Sequence, residues 1–238
     1  MAGGTLLFEG SSKKVLQAET DNQVVLEFKD SKTQFDGEKR AEFKGKGAMR
    51  LSLTKIIFEY LESYNIPTHW GKILGENTVR VKKLDMLPIH VLIRNIAAGS
   101  LCERFNIKVG TPLKYPVLEY YLKDKSLGNP MISESHAYAF DRCSPDEMKH
   151  ISRLSSKVNA VLKAFMERRK LKLVDYTLEF GRSQNQIFLA DEISPDNARL
   201  WHIEEDGTLK QNYFRLTNNK AEESFREILH HLSGNRTL

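Results

Sequence analysis

The sequence predicts a protein of the α+β class with antiparallel sheets, and three observations carry that prediction. Short apolar and β-forming runs follow one another near the N-terminus, which is typical of an antiparallel meander. Longer segments further on repeat apolar residues at helical spacing, which indicates amphipathic helices. A chain of 238 residues, 40% of them hydrophobic, is long enough for one large domain or for two smaller ones that share a cleft.

Composition and charge narrow the class of function. The net charge is +5, but lysines and arginines alternate with acids along the chain, which favours small anionic substrates over nucleic acid. No run approaches the ~20 apolar residues of a membrane helix, and the N-terminus lacks a secretory pattern, so we expect a cytoplasmic protein with no membrane partner. Cys102 and Cys143 have no metal-ligand spacing, which indicates ordinary thiols.

The first third of the chain predicts a meander followed by a loop and a helix. The predicted strands are Thr5–Phe8, Lys14–Ala18 and Gln23–Phe28. The turn Gly10–Lys13 combines a glycine, two hydroxyls and a lysine, which suits the phosphates of a nucleotide, although the turn by itself is explained better by a plain hairpin. Neither a Walker sequence nor GxGxxG occurs.

Asp30–Gly47 is polar and glycine-containing, so we expect a long loop there. Apolar residues from Met49 to Tyr64 recur every three or four positions, which predicts a helix that Pro67 ends. Two strands, Thr78–Asp85 and Met86–Ile93, follow, and the junction between them is a natural hinge. We therefore divide the chain into subdomains at residues 1–85 and 86–238.

The second subdomain begins with an arginine and a glycine–serine pair after a strand. Arg94–Ser100 offers anion-binding groups if a helix starts at Ser100. Prolines at 116 and 130 predict loops over a cleft, with only a short β-like run, Val117–Leu122, between them. Ser144 caps a long helix with Glu147 three residues on.

A late hairpin carries paired acids. In the strand Lys172–Phe180, Asp175, Thr177 and Glu179 share one face. Asn185–Ile193 is its predicted partner, so Glu179 and Asp191 are expected to converge on one metal ion. A last amphipathic helix, containing Phe225 and Leu232, closes the fold.

The segment Asp191–Trp201 is the most informative stretch of the chain. Ser194-Pro195-Asp196 predicts a turn after the apolar run that ends at Ala190. The guanidinium of Arg199 suits a phosphate or a carboxylate, since its planar fork holds two oxygens. A solvated turn with a surface salt bridge is the alternative explanation of the same residues.

Taken together, four segments resemble one known family. These are Glu9–Lys13, Leu87–Ser100, Leu173–Gly181 and Asp191–Trp201, and they resemble phosphoribosylaminoimidazole-succinocarboxamide synthases (SAICAR synthetases) in the right order. The resemblance implies an α+β fold of two subdomains, related to ATP-grasp enzymes, with the nucleotide in a cleft between them. It also implies a homodimer.

The resemblance further implies an ATP- and Mg²⁺-dependent ligase of purine biosynthesis. Such an enzyme joins L-aspartate to the carboxylate of carboxyaminoimidazole ribotide (CAIR) through an acyl phosphate and releases ADP and phosphate. Matching positions imply a nucleotide site at Gly10, Ser11, Ser12, Lys13, Val15, Lys82, Met86, Glu179 and Asp191, with the metal on Glu179 and Asp191. They imply a ribotide site at Arg94, Ser100, Asp196 and Arg199, and catalytic roles for Lys13, Arg94, Asp196 and Arg199.

The sequence also departs from the family pattern. Thr177 stands where the family has a lysine, and Ser11, His90, Asn129 and His202 replace other residues that are usual there. Two alternatives follow from these departures. One is a related ATP-dependent carboxylate–amine ligase with a different acceptor, and the other is a nucleotide-binding relative without catalysis.

Overall fold

The computed structural model describes residues 4–234, and most of its strands form two antiparallel sheets. The first sheet has the order β1-β2-β3-β7-β6. Its strands are β1 (Leu6–Glu9), β2 (Lys13–Gln17), β3 (Gln23–Phe28), β6 (Lys72–Ile73) and β7 (Thr78–Lys82). Strands β1 to β3 pair consecutively and antiparallel, which confirms the predicted meander.

The second sheet has the order β10-β9-β8-β11-β13-β14, with β12 paired to β11. Its strands are β8 (Asp85–Ile96), β9 (Pro112–Leu122), β10 (Met131–Ile132), β11 (Leu171–Ser183), β12 (Gln186–Ala190), β13 (Ala198–Ile203) and β14 (Leu209–Lys210). The prediction of loops around Pro116 was wrong, because β9 runs for 11 residues through it. Since β10 covers only Tyr120 and Tyr121 of that strand, Pro116 lies in an edge segment, where proline is tolerated.

A small hairpin replaces the loop predicted over Asp30–Gly47. Strands β4 (Thr33–Phe35) and β5 (Glu38–Arg40) pair with each other and form a separate two-stranded sheet. The connection is Asp36-Gly37, with φ values of 46° and 85°. Positive φ at both central residues is the requirement of the tight turn that Asp-Gly favours.

Five helices accompany the sheets within residues 4–234: α1 (Lys46–Glu62), α2 (Ser100–Phe105), α3 (Glu134–Ala139), α4 (Pro145–Glu167) and α5 (Ala221–Ser233). A 3-10 turn spans Lys125–Leu127. The predicted cap of α4 is confirmed, since Ser144 and Glu147 form a reciprocal capping box. None of the helices so described combines the length and apolar character that a membrane crossing requires.

The main hydrophobic core lies between one face of the second sheet and helices α1, α4 and α5. A smaller core joins α1 to the first sheet through residues such as Phe28, Leu51 and Val79. Helix α1 therefore contacts both cores. The first sheet ends at Lys82 and the second begins at Asp85, so the sheets separate close to the proposed division at 85/86, which itself remains a prediction.

Candidate functional site

The polar face of the second sheet carries the candidate site. In β11, Tyr176, Leu178 and Phe180 are buried in the core, so the alternate residues Asp175, Thr177 and Glu179 belong to the opposite face. Asp175 pairs with Arg94 of β8, and Glu179 pairs with His90. Four residue steps along the strand separate the two acids by about 13 Å, which leaves room for two ligand-binding regions.

One group of charged side chains, which we name the Lys13 cluster, comprises Lys13, Lys123, Glu179, Asp191 and Glu192. Lys13 Nζ lies 2.7 Å from Asp191 Oδ1 and 3.0 Å from Glu192 Oε1. Lys123 Nζ lies 2.5 Å from Glu179 Oε2. Because Glu179 pairs with Ala190 across the β11–β12 hairpin, the next residue, Asp191, lies close to it.

Electrostatics in the Lys13 cluster are dominated by burial and by the two lysines. Burial, together with the charge of Asp191, raises the pKa of Glu179. Burial also opposes ionisation of Asp191, but Lys13 and Lys123 outweigh it and lower the pKa of that carboxyl. One oxygen of Glu192, Oε2, is buried without a hydrogen-bond partner. The cluster therefore holds more acid than its lysines neutralise, which favours an added cation.

The remaining residues predicted for a nucleotide surround this cluster or border the first sheet. Gly10, Ser11 and Ser12 connect β1 to β2, and their carbonyls accept hydrogen bonds from Lys29, Ser31 and Arg50. Lys82 Nζ lies 5.2 Å from the centre of the Phe188 ring. Met86 is 40% exposed and pairs with Gly181, whereas Val15 packs partly on the smaller core.

A second group, the Arg94 cluster, comprises Asp36, Arg94, Ser100, Asp175 and Arg199. Asp175 Oδ2 accepts hydrogen bonds from Arg94 Nη1 and Arg199 Nη1, both at 3.1 Å. Asp36 Oδ2 lies 3.2 Å from Arg94 Nη1 and 3.1 Å from Arg199 Nη2. Ser100 donates to Asp36 from both its backbone N–H, at 3.2 Å, and its hydroxyl, at 2.6 Å.

The pKa values of the two acids of the Arg94 cluster, Asp36 and Asp175, are shifted in opposite directions. Burial opposes ionisation of Asp36, but hydrogen bonds from Arg94 and Ser100 outweigh it and lower its pKa to about 2. Burial raises the pKa of Asp175 to about 7 in spite of Arg199 and Arg94, and its Oδ1 has no hydrogen-bond partner.

Asp196 lies in a third group, the Asp196 cluster, with Thr33, Lys46 and Arg50. Its carboxylate forms ion pairs with the Arg50 guanidinium and, at 2.8 Å, with Lys46 Nζ. It also accepts a hydrogen bond from the Thr33 hydroxyl at 2.5 Å. Within residues 4–234 no ion pair joins Asp196 to the Arg94 cluster. Asp196 lies in the 191–197 turn and Arg199 lies in β13, and the expectation that both face the ribotide stays a prediction.

Two histidines border the Lys13 cluster. His69 Nε2 donates to the backbone carbonyl of Asp191 at 3.2 Å, and burial lowers the pKa of His69 to about 4. His90 stacks on Tyr121 with ring centres 5.4 Å apart, and burial with the charge of Lys123 lowers its pKa to about 4. Both rings are therefore neutral near pH 7.

The sequence interpretation missed several members of these clusters. Asp36 was placed in a loop, although its Asp-Gly pair is a hairpin signal. Lys46 falls at the end of the predicted loop and Arg50 in the predicted helix. No local pattern links either residue to Asp196. Asp175 was identified only as a residue on the same face as Glu179.

Comparison with known proteins identifies the family. The SAICAR synthetase profile matches residues 6–232. The chain belongs to the SAICAR synthetase family. It is 39% identical to the phosphoribosylaminoimidazole-succinocarboxamide synthase of Clostridium kluyveri over 99% of this chain and 100% of that one.

Solved structures of SAICAR synthetases share the fold. The phosphoribosylaminoimidazole-succinocarboxamide synthase of Ehrlichia chaffeensis superimposes with a TM-score of 0.88 at 36% identity, covering 98% of this chain and 100% of that one. A SAICAR synthetase in complex with ADP gives 0.88 at 39% identity, covering 97% and 99%. The α+β SAICAR synthetase fold predicted from the sequence is thereby confirmed.

Proposed function

We propose that this chain is the ATP-dependent ligase that joins CAIR to L-aspartate in purine biosynthesis and forms SAICAR, ADP and phosphate. Membership of the SAICAR synthetase family supports this activity. The structural observation that carries it is the pair of charged clusters on one sheet face, one rich in acids and lysines and the other in arginines. Phosphoryl transfer to a carboxylate requires both a nucleotide site and an acceptor site on the same surface.

The Lys13 cluster is the proposed nucleotide site. Gly10 to Ser12 would cover the phosphates, and Lys13 would balance their charge. Lys82 would contact a phosphate, Met86 and Val15 would border the adenine, and the ADP complex of a 39% identical relative supports nucleotide binding.

Glu179 and Asp191 are the proposed Mg²⁺ ligands. Within residues 4–234 no three or more His, Cys, Asp or Glu side chains converge as a metal cage. Mg²⁺ bound with nucleotide phosphates commonly uses only one or two protein carboxylates, and the excess acid of this cluster fits that arrangement. When bound, the ion supplies charge stabilisation for phosphoryl transfer.

The Arg94 cluster is the proposed ribotide site. Arg94, Arg199 and the Ser100 hydroxyl offer converging donors that suit a phosphate group. The predicted role of Asp196 as a ribotide contact remains a proposal, and its buried pairing with Arg50 and Lys46 fits a positioning role in the turn.

The chemistry proposed for the chain has two steps. The γ-phosphoryl group of ATP is transferred to a CAIR carboxylate oxygen, which turns a poor electrophile into an acyl phosphate. The amine of L-aspartate then attacks the acyl carbon, phosphate leaves, and the nitrogen loses a proton. Lys13, Arg94 and Arg199 stabilise the negative charge that accumulates as these anions meet.

Thr177 supports a second candidate, a ligase with another amine or acceptor. The residue lies between Asp175 and Glu179 on β11, where a lysine is usual in the family, so one cation is missing from the sheet face.

Incubation with ATP, Mg²⁺, CAIR and a panel of amines tests both candidates. We expect ADP release only with CAIR and L-aspartate together, in step with product absorbance. ADP release with a different amine alone would instead support the second candidate, and tight ATP binding without turnover would indicate a non-catalytic relative.

We also infer a cytoplasmic homodimer whose subdomains divide near residue 85. The family resemblance supports the dimer, and the change of sheet between Lys82 and Asp85 supports the division. Sedimentation velocity would give a dimer mass, and a monomer at micromolar concentration would contradict the inference.

A further inference from the structure

The Asp36 carboxylate occupies a closely fitted anion cradle. Its side chain is 5% exposed. Oδ1 accepts from the Ser100 hydroxyl at 2.6 Å and from Arg94 Nη2 at 3.4 Å. Oδ2 accepts from Arg94 Nη1, Arg199 Nη2 and the backbone N–H of Ser100. Two guanidinium groups, a hydroxyl and an amide are the donors that a phosphate group would also use.

The backbone around the cradle allows this close approach. Gly99 has φ 52°, and a Cβ atom there would overlap Asp36 Oδ2 and lie 2.8 Å from Arg199 Nη2. Asp36 itself has φ 46°, a left-handed conformation that aspartate tolerates better than most residues. The hairpin tip is therefore shaped to place one carboxylate against the two arginines.

The hairpin that carries Asp36 is not part of either main sheet. Strands β4 and β5 pair only with each other. The base is fixed by the Thr33 hydroxyl on Asp196 and by the Ala41 N–H on the Leu216 carbonyl. The tip contacts the second sheet through Asp36, with Phe35 packed 5.8 Å below the Arg199 guanidinium. Glu38 Oε1 also lies 4.0 Å from Arg199 Nη2. The ion pairs of the tip with the second sheet therefore all involve Arg94 or Arg199, and another anion that takes over these donors would replace them.

The balance of charge in the cradle also supports replacement of Asp36 by another anion. Arg94 and Arg199 already share Asp175, and Arg94 also pairs with Glu119. Because Glu119 is also paired with Arg104, removing Asp36 leaves three arginines with only two acids, Asp175 and Glu119. An incoming phosphate would offset that deficit of negative charge. With Asp36 in place, the same phosphate would meet a filled site and a repelling carboxylate.

We propose that Asp36 is an internal occupant of the ribotide phosphate site, and that the phosphate of the ribotide displaces it together with the tip of the Thr33–Arg40 hairpin. This inference rests on the proposed function, in which Arg94, Ser100 and Arg199 hold that phosphate. Asp36 lowers ribotide affinity, because only molecules with a withdrawn tip bind. It also keeps the two arginines paired in the free enzyme.

Calorimetric titration with inorganic phosphate, without ATP or Mg²⁺, tests the proposal directly. Asp36→Asn keeps the shape and tolerates the positive φ, and we expect it to tighten phosphate binding about tenfold. Glu42→Gln is the matched control, since it removes the same charge from an exposed side chain beside the hairpin, and it should change affinity by less than about twofold. The double variant Asp36→Asn/Arg199→Met should lose the gain, which assigns it to the cradle.

Weaker, unchanged or undetectable phosphate binding by Asp36→Asn would overturn the proposal. Hydrogen exchange on the wild-type chain gives a second measurement, with faster exchange of the 33–40 amides expected upon phosphate addition. Slower or unchanged exchange would contradict displacement. Absence of SAICAR formation by the wild type, with tighter phosphate binding in Asp36→Asn, would refute the proposed function alone. Normal product formation by the wild type, with unchanged phosphate affinity in Asp36→Asn, would refute only the role of Asp36.

Discussion

Asp191 is the residue on which the proposed nucleotide site most depends. It pairs with Lys13, its backbone carbonyl accepts from His69, and it has φ 67°. Asparagine tolerates that left-handed conformation, so Asp191→Asn should preserve the fold while removing the charge. We expect ATP turnover to fall about 100-fold or more. ADP release and thermal melting measure the two effects, and unchanged turnover would remove Asp191 from the proposed metal site.

Thr177 is the clearest departure from the family pattern. It is half-buried on the polar face, between two acids. A lysine there would gain Asp175 and Glu179 as neighbours, so Thr177→Lys should give equal or higher activity and cost at most about 1 kcal/mol in stability. Thr177→Met, similar in length but uncharged, is the control. A large loss of stability in both variants would show that the position tolerates no long side chain.

His69 connects the Lys13 cluster to acid stability. Its pKa is about 4 when folded and about 6.5 when unfolded. Between pH 6.5 and about pH 4, His69 is therefore protonated in the unfolded chain but neutral in the folded chain. The free energy of unfolding falls as the pH decreases through this range. The loss is roughly 3 kcal/mol in total.

Urea unfolding in EDTA at pH 7 and pH 4.5 measures the contribution of His69. Other groups also titrate in this range, so the comparison is with His69→Gln, which keeps a donor for the Asp191 carbonyl. The variant should lose less stability on acidification than the wild type. An equal loss in both proteins would show that His69 is protonated in the folded state.

Helix α1 joins the turn Gly10–Lys13, the base of the β4–β5 hairpin and the 191–197 turn through one buried side chain. Arg50 is fully buried, and it donates to the carbonyls of Ser12, Lys29 and Ser31 while pairing with Asp196. Removing one partner of a buried ion pair is strongly destabilising because the other charge remains buried.

Arg50→Met should therefore lower the free energy of unfolding by about 3 kcal/mol and raise the KM for ATP. Urea denaturation and initial rates measure the two effects. Lys32→Met, in an ion pair whose lysine is 70% exposed, is the control and should stay within about 0.5 kcal/mol of the wild type. A similar small effect for Arg50→Met would show that the three segments hold their positions without it.

Elements with local signals could be predicted from the sequence, whereas those that depend on distant partners could not. The start of α4 is marked by a signal only four residues long, the capping pair Ser144 and Glu147. The strand β11 is marked by the alternation of polar and apolar residues around Thr177. The β4–β5 hairpin was missed because polar residues hide its short strands. The pairing of Asp196 with Arg50 spans 146 residues, so no pattern in either segment predicts it.

Across the whole molecule, the first sheet, α1 and the second sheet bring two charged clusters onto one surface. This placement of the charged clusters by distant parts of the chain also determines which site residues could be predicted from the sequence. Lys13, Glu179, Asp191, Arg94 and Arg199 were proposed from short motifs that resemble the family, but the separation of the charges into clusters depends on Asp36, Lys46 and Arg50. The proposed function requires that the nucleotide in one cluster phosphorylate a carboxylate held by the other.

Oxygen-18 transfer tests that requirement most directly. CAIR labelled with oxygen-18 in its carboxylate is incubated with ATP, Mg²⁺ and L-aspartate, and the released phosphate is analysed by mass spectrometry. One labelled oxygen in each phosphate, appearing in step with SAICAR, is the predicted result, since that oxygen bridges carbon and phosphorus in the acyl phosphate. Unlabelled phosphate accompanying amide formation would contradict activation of the CAIR carboxylate by ATP.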